Sequence, residues 1–417
     1  MSSRMIFFGS QESLVLQQGG EKTKIKACPP GEVLLPLNRL YCTTEADFKH
    51  YDHILRQQTG EQIFFSLSEA ELAEQHDMPM RLGARSESWC EEQDLFRQLL
   101  ALKNNRPLKL AIMGGLGAGM GDSIVGLETL RNVLTALHKK GQEKCVIDVY
   151  IRQRDYRRLR GLYSKFAFIN QVKALPISME QFKKYDAYWD VLPRINSSRF
   201  DTLTMQDFFL ESLGVRPDCL EVCEKSPHGI EISQRARKAV AFRLSQLLNT
   251  SGIERPVLLF HPKSTTLLRD IPNHLIRCIL DRLINETDYD VISVIDIDYQ
   301  HPRFFNLSRY SQSLDDYCAF IASSNAILCV DTSIYHIAAG YQVPTLALFS
   351  SIRPELRVVY YPSVDAMLLP GAEHAPFFGQ HVHDQATEVK KNQLQALDGL
   401  WQNLDWDEVI KRLKGYV

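Results

Sequence analysis

The sequence lacks several features that would assign it to a specialised class of protein. Its 417 residues contain no apolar run near the roughly 18 residues that span a bilayer. The apolar stretch at the N-terminus is too short for a secretory signal. The 48 basic and 50 acidic residues give a net charge of −2, so no overall basic field points to nucleic acid. We therefore expect a cytoplasmic protein with at most peripheral membrane contact and no nucleic-acid partner.

Cysteine pairs of the kind that bind zinc are also lacking. The nine cysteines include no Cys-x-x-Cys pair, and the nearest two, Cys219 and Cys223, have helical spacing. Scattered cysteines in odd number suit a reducing compartment better than a disulfide framework. His374, His381 and His383 lie close together, and His-x-His spacing can ligate a metal. Because no cysteine lies near them, we interpret this segment as a polar loop and expect no metal site.

The remaining composition is that of a globular chain with two or three domains, at 45% apolar and 24% charged residues. Residues 1–105 carry short apolar runs separated by Gly-Gly and Pro-Pro-Gly, followed by helical stretches, which predicts an accessory α+β domain. From residue 106 onward, apolar strands alternate with amphipathic helices, which predicts parallel sheets. We predict two Rossmann-like domains, 106–250 and 251–417, that face a cleft, with one clear helix, Asp405 to Lys414, in the C-terminal tail.

The first half is organised around a glycine-rich stretch. The apolar run Leu108–Met113 predicts a buried strand, and glycines at 114, 115, 117, 119 and 121 lead to a helix beginning near Asp122. Asp122 stands where the phosphate-binding loop of NTPases has its lysine, and Met120 stands at the third glycine of a dinucleotide fingerprint. Neither of these two familiar phosphate sites is therefore predicted here.

Two interpretations of this glycine-rich stretch stay open. The glycines permit tight packing of helix on sheet and do nothing more, with Asp122 as an ordinary capping carboxylate. Alternatively, Gly117, Gly119 and Gly121 form a close-approach rim for an acceptor. In that case the helix N-terminus keeps Asp122 ionised, and its carboxylate can accept a proton from an incoming hydroxyl.

Polar side chains follow two predicted strands of the second half. After Pro256–His261 come hydroxyls and cations, namely Lys263, Ser264, Thr265 and Arg269. After Ala326–Val330 come an acid, two hydroxyls and, one helical turn later, a histidine, namely Asp331, Thr332, Ser333 and His336. Hydroxyls and free N–H groups at a helix N-terminus can hold a diphosphate, and a cation can neutralise it.

Simpler roles for these residues stay open as well. A capped helix accounts for Asp331 to Ser333 without a ligand, and position 336 suits a buried, hydrogen-bonded histidine. Lys263 can be a solvated surface residue, so we favour Arg269 as the cation. Asp296, at the end of the predicted strand Tyr289–Asp296, is a candidate for contact with a ribose or base, or an ordinary acid at a strand end.

The second of these segments resembles the donor-site signature of family 9 glycosyltransferases, the ADP-heptose:lipopolysaccharide heptosyltransferases. The residues that match the signature are Val330, Asp331, Thr332, His336, Ala338, Ala339, Pro344, Thr345, Leu348 and Phe349. In the first half, Gly121 and Asp122, followed by Ser and Ile, match the family's Gly-Asp-x-(Ile/Val). The resemblance covers residues 108 to 362.

This resemblance implies a GT-B-like fold and a catalytic base at Asp122. It places the family's hydroxyl pair on Ser264 and Thr265, and the family's phosphate-binding lysine on Arg269. It further implies a nucleotide-diphosphate sugar, such as ADP-heptose, as co-substrate, with no bound cofactor and no metal.

The sequence departs from the family pattern at three places. Ser333 stands where the family has glycine, Arg269 stands where it has lysine, and the glycine loop is longer than the family's simple turn. The extra N-terminal region is more like that of autotransporter heptosyltransferases, which glycosylate protein. The cysteine-rich metal finger of that branch is missing from this sequence.

We predict an inverting, metal-independent glycosyltransferase that acts on a hydroxyl of a glycan or protein acceptor. A homo-oligomer is compatible with this prediction. Two alternatives remain, a nucleotide-sugar epimerase or hydrolase, and a degenerate GT-B domain that serves as a binding or assembly module. Release of free nucleotide without an acceptor, or an epimerised sugar, would favour the first alternative. If Asp122→Asn leaves turnover unchanged in a folded protein, the assignment of Asp122 as the base is wrong.

Overall fold

The computed structural model describes residues 79–83, 94–102, 106–117, 119–139, 145–175, 177–191, 198–248, 254–379 and 391–417, and before residue 79 the backbone of strands alone. The chain divides into two compact units, Met1–Glu224 and Lys225–Val417. Among the described helices, none is long and apolar enough to cross a bilayer. The three-domain division expected from the sequence stays a prediction.

The first unit contains short strands and five α-helices within its described residues. The strands are β1 (Arg4–Gly9), β2 (Ser13–Gln18), β3 (Glu21–Lys26), β4 (Arg39–Thr44), β5 (Phe65–Ser66), β6 (Met80–Leu82), β7 (Leu108–Gly114), β8 (Cys145–Ile151), β9 (Ile169–Ala174), β10 (Ile177–Ser178) and β11 (Ala187–Trp189). The helices are α1 (Leu95–Ala101), α2 (Met120–Lys139), α3 (Gln153–Tyr163), α4 (Met179–Phe182) and α5 (Met205–Leu213).

A five-stranded parallel sheet forms the α/β part of this unit, in the order β6-β11-β7-β8-β9. β7 is buried at every position except Lys109, which fits a strand covered on both faces. Helix α2 packs closely because Gly126 has no side chain: a Cβ there would lie 2.7 Å from the Cβ of Leu116. The central strand and its following helix are thus held by apolar burial on both sides.

The N-terminal strands, which the short apolar runs predict, pair in antiparallel sheets. β1, β4 and β5 join β10 in a four-stranded sheet of order β10-β1-β4-β5, and β2 pairs with β3. Because β10 lies between β9 and β11 in the chain, the N-terminal region shares a sheet with the α/β part. The apolar run at 33–37 and the helical stretches that the sequence indicates at 45–58 and 68–75 lie outside the described residues.

The second unit contains six strands and seven α-helices within its described residues. The strands are β12 (Val257–His261), β13 (Asp290–Ser293), β14 (Phe304–Asn306), β15 (Ala326–Val330), β16 (Thr345–Phe349) and β17 (Val364–Leu368). The helices are α6 (Gln234–Leu248), α7 (Asn273–Glu286), α8 (Leu314–Ala322), α9 (Ser333–Gly340), α10 (Glu355–Val358), α11 (Lys391–Gln402) and α12 (Trp406–Lys414).

All six strands are parallel, in the order β14-β13-β12-β15-β16-β17. Numbered within the unit, this is the doubly wound order 3-2-1-4-5-6, in which the direction of winding reverses between the first and fourth strands. Ligands of such sheets bind beyond the carboxyl ends of the strands at that reversal. In this chain the reversal lies between β12, which ends at His261, and β15, which ends at Val330.

The C-terminal tail corrects one expectation, because α11 precedes the expected helix α12. Its Leu397, Leu400 and Trp401 are buried in the core of the second unit. Their spacing, three and four residues apart, is helical. The short strands β14 and β17 were also not expected. Their pairing with β13 and β16, rather than a local pattern, makes them strands.

Candidate active-site residues at two sheet edges

The glycine loop after β7 has a backbone that only glycine adopts readily. Gly114 and Gly115 have φ angles of 82° and 89°, in the left-handed region. At Gly117, a Cβ would lie 2.5 Å from the Cβ of Asp122, so a side chain does not fit there. At Gly119, the nearest atom would be Asp122 Oδ2 at 3.5 Å, which is an ordinary contact. The loop is therefore shaped by close approach to the first turn of α2.

Helix α2 begins at Met120, two residues earlier than expected, so Asp122 lies in its first turn. The Asp122 side chain is partly exposed. Its Oδ2 accepts a hydrogen bond from the backbone N–H of Gly119 at 3.2 Å. Gly121 lies within the same turn. The N–H groups of a helix N-terminus favour a carboxylate in this position. The structure thus places the expected base directly after the loop, at the carboxyl edge of the sheet.

Two buried hydroxyls hold the glycine loop. The Tyr163 hydroxyl accepts a hydrogen bond from the N–H of Leu116 at 2.6 Å and lies 3.5 Å from Ser123 Oγ. Ser123 Oγ in turn donates to the carbonyl of Gly117 at 3.3 Å. Burial raises the pKa of Tyr163 to about 12, so this phenol stays protonated across the physiological range. No local sequence pattern indicates this contact, because Leu116 and Tyr163 are 47 residues apart.

In the second unit, a charged pair lies at the reversal point of the sheet. Arg269, in the loop after β12, donates from Nη1 to Asp331 Oδ2 at 3.2 Å. Asp331 directly follows β15 and is 5% exposed, and its Oδ1 accepts from the Tyr335 hydroxyl at 2.9 Å. The structure therefore brings together two residues that the sequence separates by 62 positions.

The other residues of the loop after β12 are largely engaged within the loop itself. Lys263 Nζ donates to the carbonyl of Ile271 at 3.1 Å and to Asn273 Oδ1 at 2.5 Å. Ser264 Oγ donates to the carbonyl of Thr266 at 2.8 Å, and Thr265 is exposed. Lys263 and Ser264 therefore shape the loop, whereas the Arg269 side chain leaves it to reach the next strand end.

His336 and its neighbours form a buried aromatic group behind this pair. His336 Nδ1 lies 2.7 Å from the Tyr361 hydroxyl, and its ring centroid is 4.1 Å from that of Tyr335. Burial lowers the pKa of His336 to about 3, so the imidazole is neutral. Because Tyr335 also bonds Asp331, this group supports the charged pair from the core side.

The N-terminus of α9 carries the two expected hydroxyls. Thr332 is its N-cap residue, but the Thr332 side chain makes no capping hydrogen bond. Ser333 is partly exposed and makes a polar contact with the half-buried Tyr317, whose hydroxyl lies 3.4 Å from His261 Nε2. Burial lowers the pKa of His261 to about 4. The strand end, α8 and the first turn of α9 are thus linked by polar side chains.

Asp296 lies beyond the carboxyl end of β13 and is exposed. Its Oδ1 accepts from Asn306 Nδ2 at 2.6 Å, which joins the ends of β13 and β14. Among the residues that the structure describes, no group of three or more His, Cys, Asp or Glu side chains is arranged to hold a metal ion. His381 and His383 lie outside those residues, and His374 pairs with Glu373 at 3.8 Å.

A family model adds a specific finding to this geometry. The model of glycosyltransferase family 9 (heptosyltransferase) matches residues 311–386, a segment that includes Asp331, Thr332, Ser333 and His336. The match confirms the resemblance that the second-half signature predicts, and with it the enzyme class, a glycosyltransferase. A comparison of the sequence with curated proteins gave no match.

Solved structures show remote likenesses of the same kind. A family 9 glycosyl transferase from Veillonella parvula is 13% identical, over 74% of this chain and 97% of its own, with a TM-score of 0.48. The Escherichia coli ADP-heptose heptosyltransferase II is 16% identical, over 71% and 98%, with a TM-score of 0.44. The dodecameric, iron-containing heptosyltransferase TibC, solved in complex with ADP-D-beta-D-heptose, is 10% identical, over 100% and 92%, with a TM-score of 0.43.

Proposed function

We propose that this protein transfers a sugar from a nucleotide-diphosphate sugar to a hydroxyl group of a glycan or protein. The pair formed by Arg269 and Asp331 is the observation that carries the proposal. It stands at the reversal point of a doubly wound sheet, where such sheets bind nucleotides, and Asp331 lies inside the segment matched by the family 9 model. ADP-heptose is the donor that the family relationship favours.

The donor half of the reaction needs a positive group at the departing diphosphate. Asp331 fixes one N–H group of the Arg269 guanidinium, and the Arg269 side chain remains 30% exposed, so part of it stays accessible to a ligand. The N-terminus of α9 adds N–H groups that Thr332 does not cap. Charge-assisted hydrogen bonds and a helix dipole together can stabilise a leaving diphosphate without a metal ion.

The acceptor half needs a base that removes the proton from the attacking hydroxyl. Asp122 is proposed for this role because its carboxylate is partly exposed, lies at a helix N-terminus and is oriented by the Gly119 N–H. A single base that activates the acceptor for direct displacement gives inversion at the sugar carbon. The acceptor hydroxyl forms the new glycosidic bond while the bond to the diphosphate breaks.

Thermal unfolding of the full chain with ADP, UDP, GDP and ADP-heptose tests the donor assignment. A nucleotide at about one hundred times its dissociation constant stabilises the folded state by about 2.7 kcal/mol. We expect ADP and ADP-heptose to raise the unfolding temperature and UDP and GDP to leave it unchanged. Binding of UDP alone would overturn the choice of ADP-heptose, and epimerisation of a bound sugar would overturn transfer.

The variant Arg269→Ala tests the site itself. Losing charge-assisted hydrogen bonds of about 1.5–3 kcal/mol should weaken ADP binding roughly 10- to 100-fold in calorimetry. Arg282→Ala is the matched control, because Arg282 is also paired with carboxylates, Glu286 and Asp407, but on α7 and α12. Equal ADP affinity in Arg269→Ala and the control would place the diphosphate elsewhere.

A further inference from the structure

We propose that Tyr163 is a positioning residue for Asp122, acting through the glycine loop. This inference rests on the proposed function, in which Asp122 is the base. Tyr163 ends helix α3, and neither the sequence signature nor the family match includes it. Its hydroxyl is the buried partner of the loop's own backbone, at Leu116.

The loop needs such a partner because of its composition. Five glycines between residues 114 and 121 give the free loop many backbone conformations, most of which would not present Asp122 in the same way. The Leu116 N–H would be buried without an acceptor if the Tyr163 hydroxyl were absent, since residue 116 is fully buried. A hydroxyl at this place therefore selects one loop conformation.

The contact with Tyr163 is also a close one. A Cβ at Gly115 would lie 2.9 Å from the Tyr163 hydroxyl oxygen, so glycine is needed at residue 115 for the phenol to reach the loop. On the other side, Ser123 Oγ lies 3.5 Å from the phenol and donates to the Gly117 carbonyl. The two hydroxyls thus hold the loop by hydrogen bonds to the backbone of residues 116 and 117.

Backbone hydrogen bonds connect these hydroxyl contacts to the Asp122 carboxylate. Ser123 directly follows Asp122, and its N–H donates to the Gly119 carbonyl at 3.0 Å. The Gly119 N–H then donates to Asp122 Oδ2. Removing the Tyr163 hydroxyl would release Leu116 and loosen the segment that holds Gly119, while the α2 helix and its apolar core remain. The expected consequence is a base that is present but poorly oriented.

The variant Tyr163→Phe removes only the hydroxyl and keeps the ring. Tyr156→Phe is the matched control, because Tyr156 is on the same helix and its hydroxyl donates to the Val172 carbonyl at 3.4 Å, away from the loop. In hydrogen–deuterium exchange we expect residues 115–119 to exchange at least tenfold faster in Tyr163→Phe and at the wild-type rate in Tyr156→Phe. Unchanged exchange of the loop in Tyr163→Phe would overturn the inference without any activity assay.

Turnover of the sugar nucleotide separates positioning from general stability. We expect kcat to fall 10- to 100-fold in Tyr163→Phe, with the donor KM within twofold of wild type. In the double variant with Asp122→Asn, we expect no further loss beyond Asp122→Asn alone, because both changes act on one group. Losses that multiply would show that Tyr163 acts independently of Asp122. If Asp122→Asn itself keeps full turnover, the proposed base is wrong, while the exchange result still decides whether Tyr163 holds the loop.

Discussion

The two parallel sheets carry polar residues at their carboxyl edges in different ways. In the first unit, glycines bring backbone within contact of the first turn of α2, and neutral hydroxyls of Tyr163 and Ser123 hold the loop. In the second unit, a charged pair, Arg269 and Asp331, joins a loop to the next strand end and is backed by buried aromatic rings. The edge in the first unit is shaped by close contact of the glycine loop with helix α2, and the edge in the second unit is shaped by an ion pair.

This difference matches what each half of a glycosyl transfer requires. A base must reach a hydroxyl of an acceptor, which favours an edge with little side-chain bulk around one carboxylate. A departing diphosphate carries charge, which favours fixed cationic donors in a rigid frame. Under the proposed function, the same strand–loop–helix unit serves either role, and the residues after the strand decide which.

The largest predicted effect is at the first edge. Asp122→Asn should lower turnover by about 10²- to 10⁴-fold, because an amide cannot accept the acceptor proton. ADP affinity, measured by calorimetry, should stay at its wild-type value. Asp407→Asn, another acid in a first helical turn, on α12, is the control and should keep full turnover. Full turnover in Asp122→Asn would show that Asp122 is not the base and that the first edge does not activate the acceptor.

Close approach of backbone at the first edge is tested by a pair of glycine variants. Gly117→Ala should lower the free energy of unfolding by about 1–3 kcal/mol, because the new methyl would overlap the Cβ and backbone of Asp122. Gly119→Ala should have a smaller effect, since its nearest contact is an ordinary one at 3.5 Å. Thermal or denaturant unfolding measures both variants. Equal effects would contradict the loop geometry described here.

The third prediction, with a smaller effect, is that low pH lowers the unfolding free energy through a buried histidine at the second edge. The pKa of His336 is lowered by burial to about 3, from 6.5 in the unfolded chain. Between these values the unfolded form binds a proton that the folded form does not, so the unfolding free energy falls as pH falls below 6.5. For His336 this loss is about 2 kcal/mol between pH 7 and pH 5.

The variant His336→Gln should remove that part of the pH dependence. Denaturant unfolding at pH 7 and pH 5 measures it, with His274→Gln as control, because His274 is exposed on α7. His261 contributes in the same direction, since burial also lowers its pKa, to about 4. In the described part of the first unit the one histidine is His138, which is exposed. An unchanged acid response in His336→Gln would contradict the buried, neutral imidazole.

Local sequence predicted most of the elements that surround these edges. The apolar run 326–330 predicted β15 with its observed bounds, and in the structure the Ser313 side chain caps the acidic first turn of α8. These elements follow from periodicity and capping, which act within a few residues. The short strands β14 and β17 were missed because they depend on partner strands elsewhere in the chain, and helix α11 was missed because it depends on the core against which it packs.

The sequence alone determined which residue types stand after each strand, and so the signature at Asp331 to His336, the single acid at Asp122 and the class of enzyme. Only the tertiary structure decided which of these side chains meet. It paired Arg269 with Asp331 across 62 residues, tied Lys263 and Ser264 into their own loop, and brought Tyr163 to the glycine loop across 47 residues. The reason is physical: helix and strand patterns are set by neighbours along the chain, whereas a hydrogen bond between distant residues depends on how the sheet orders its strands.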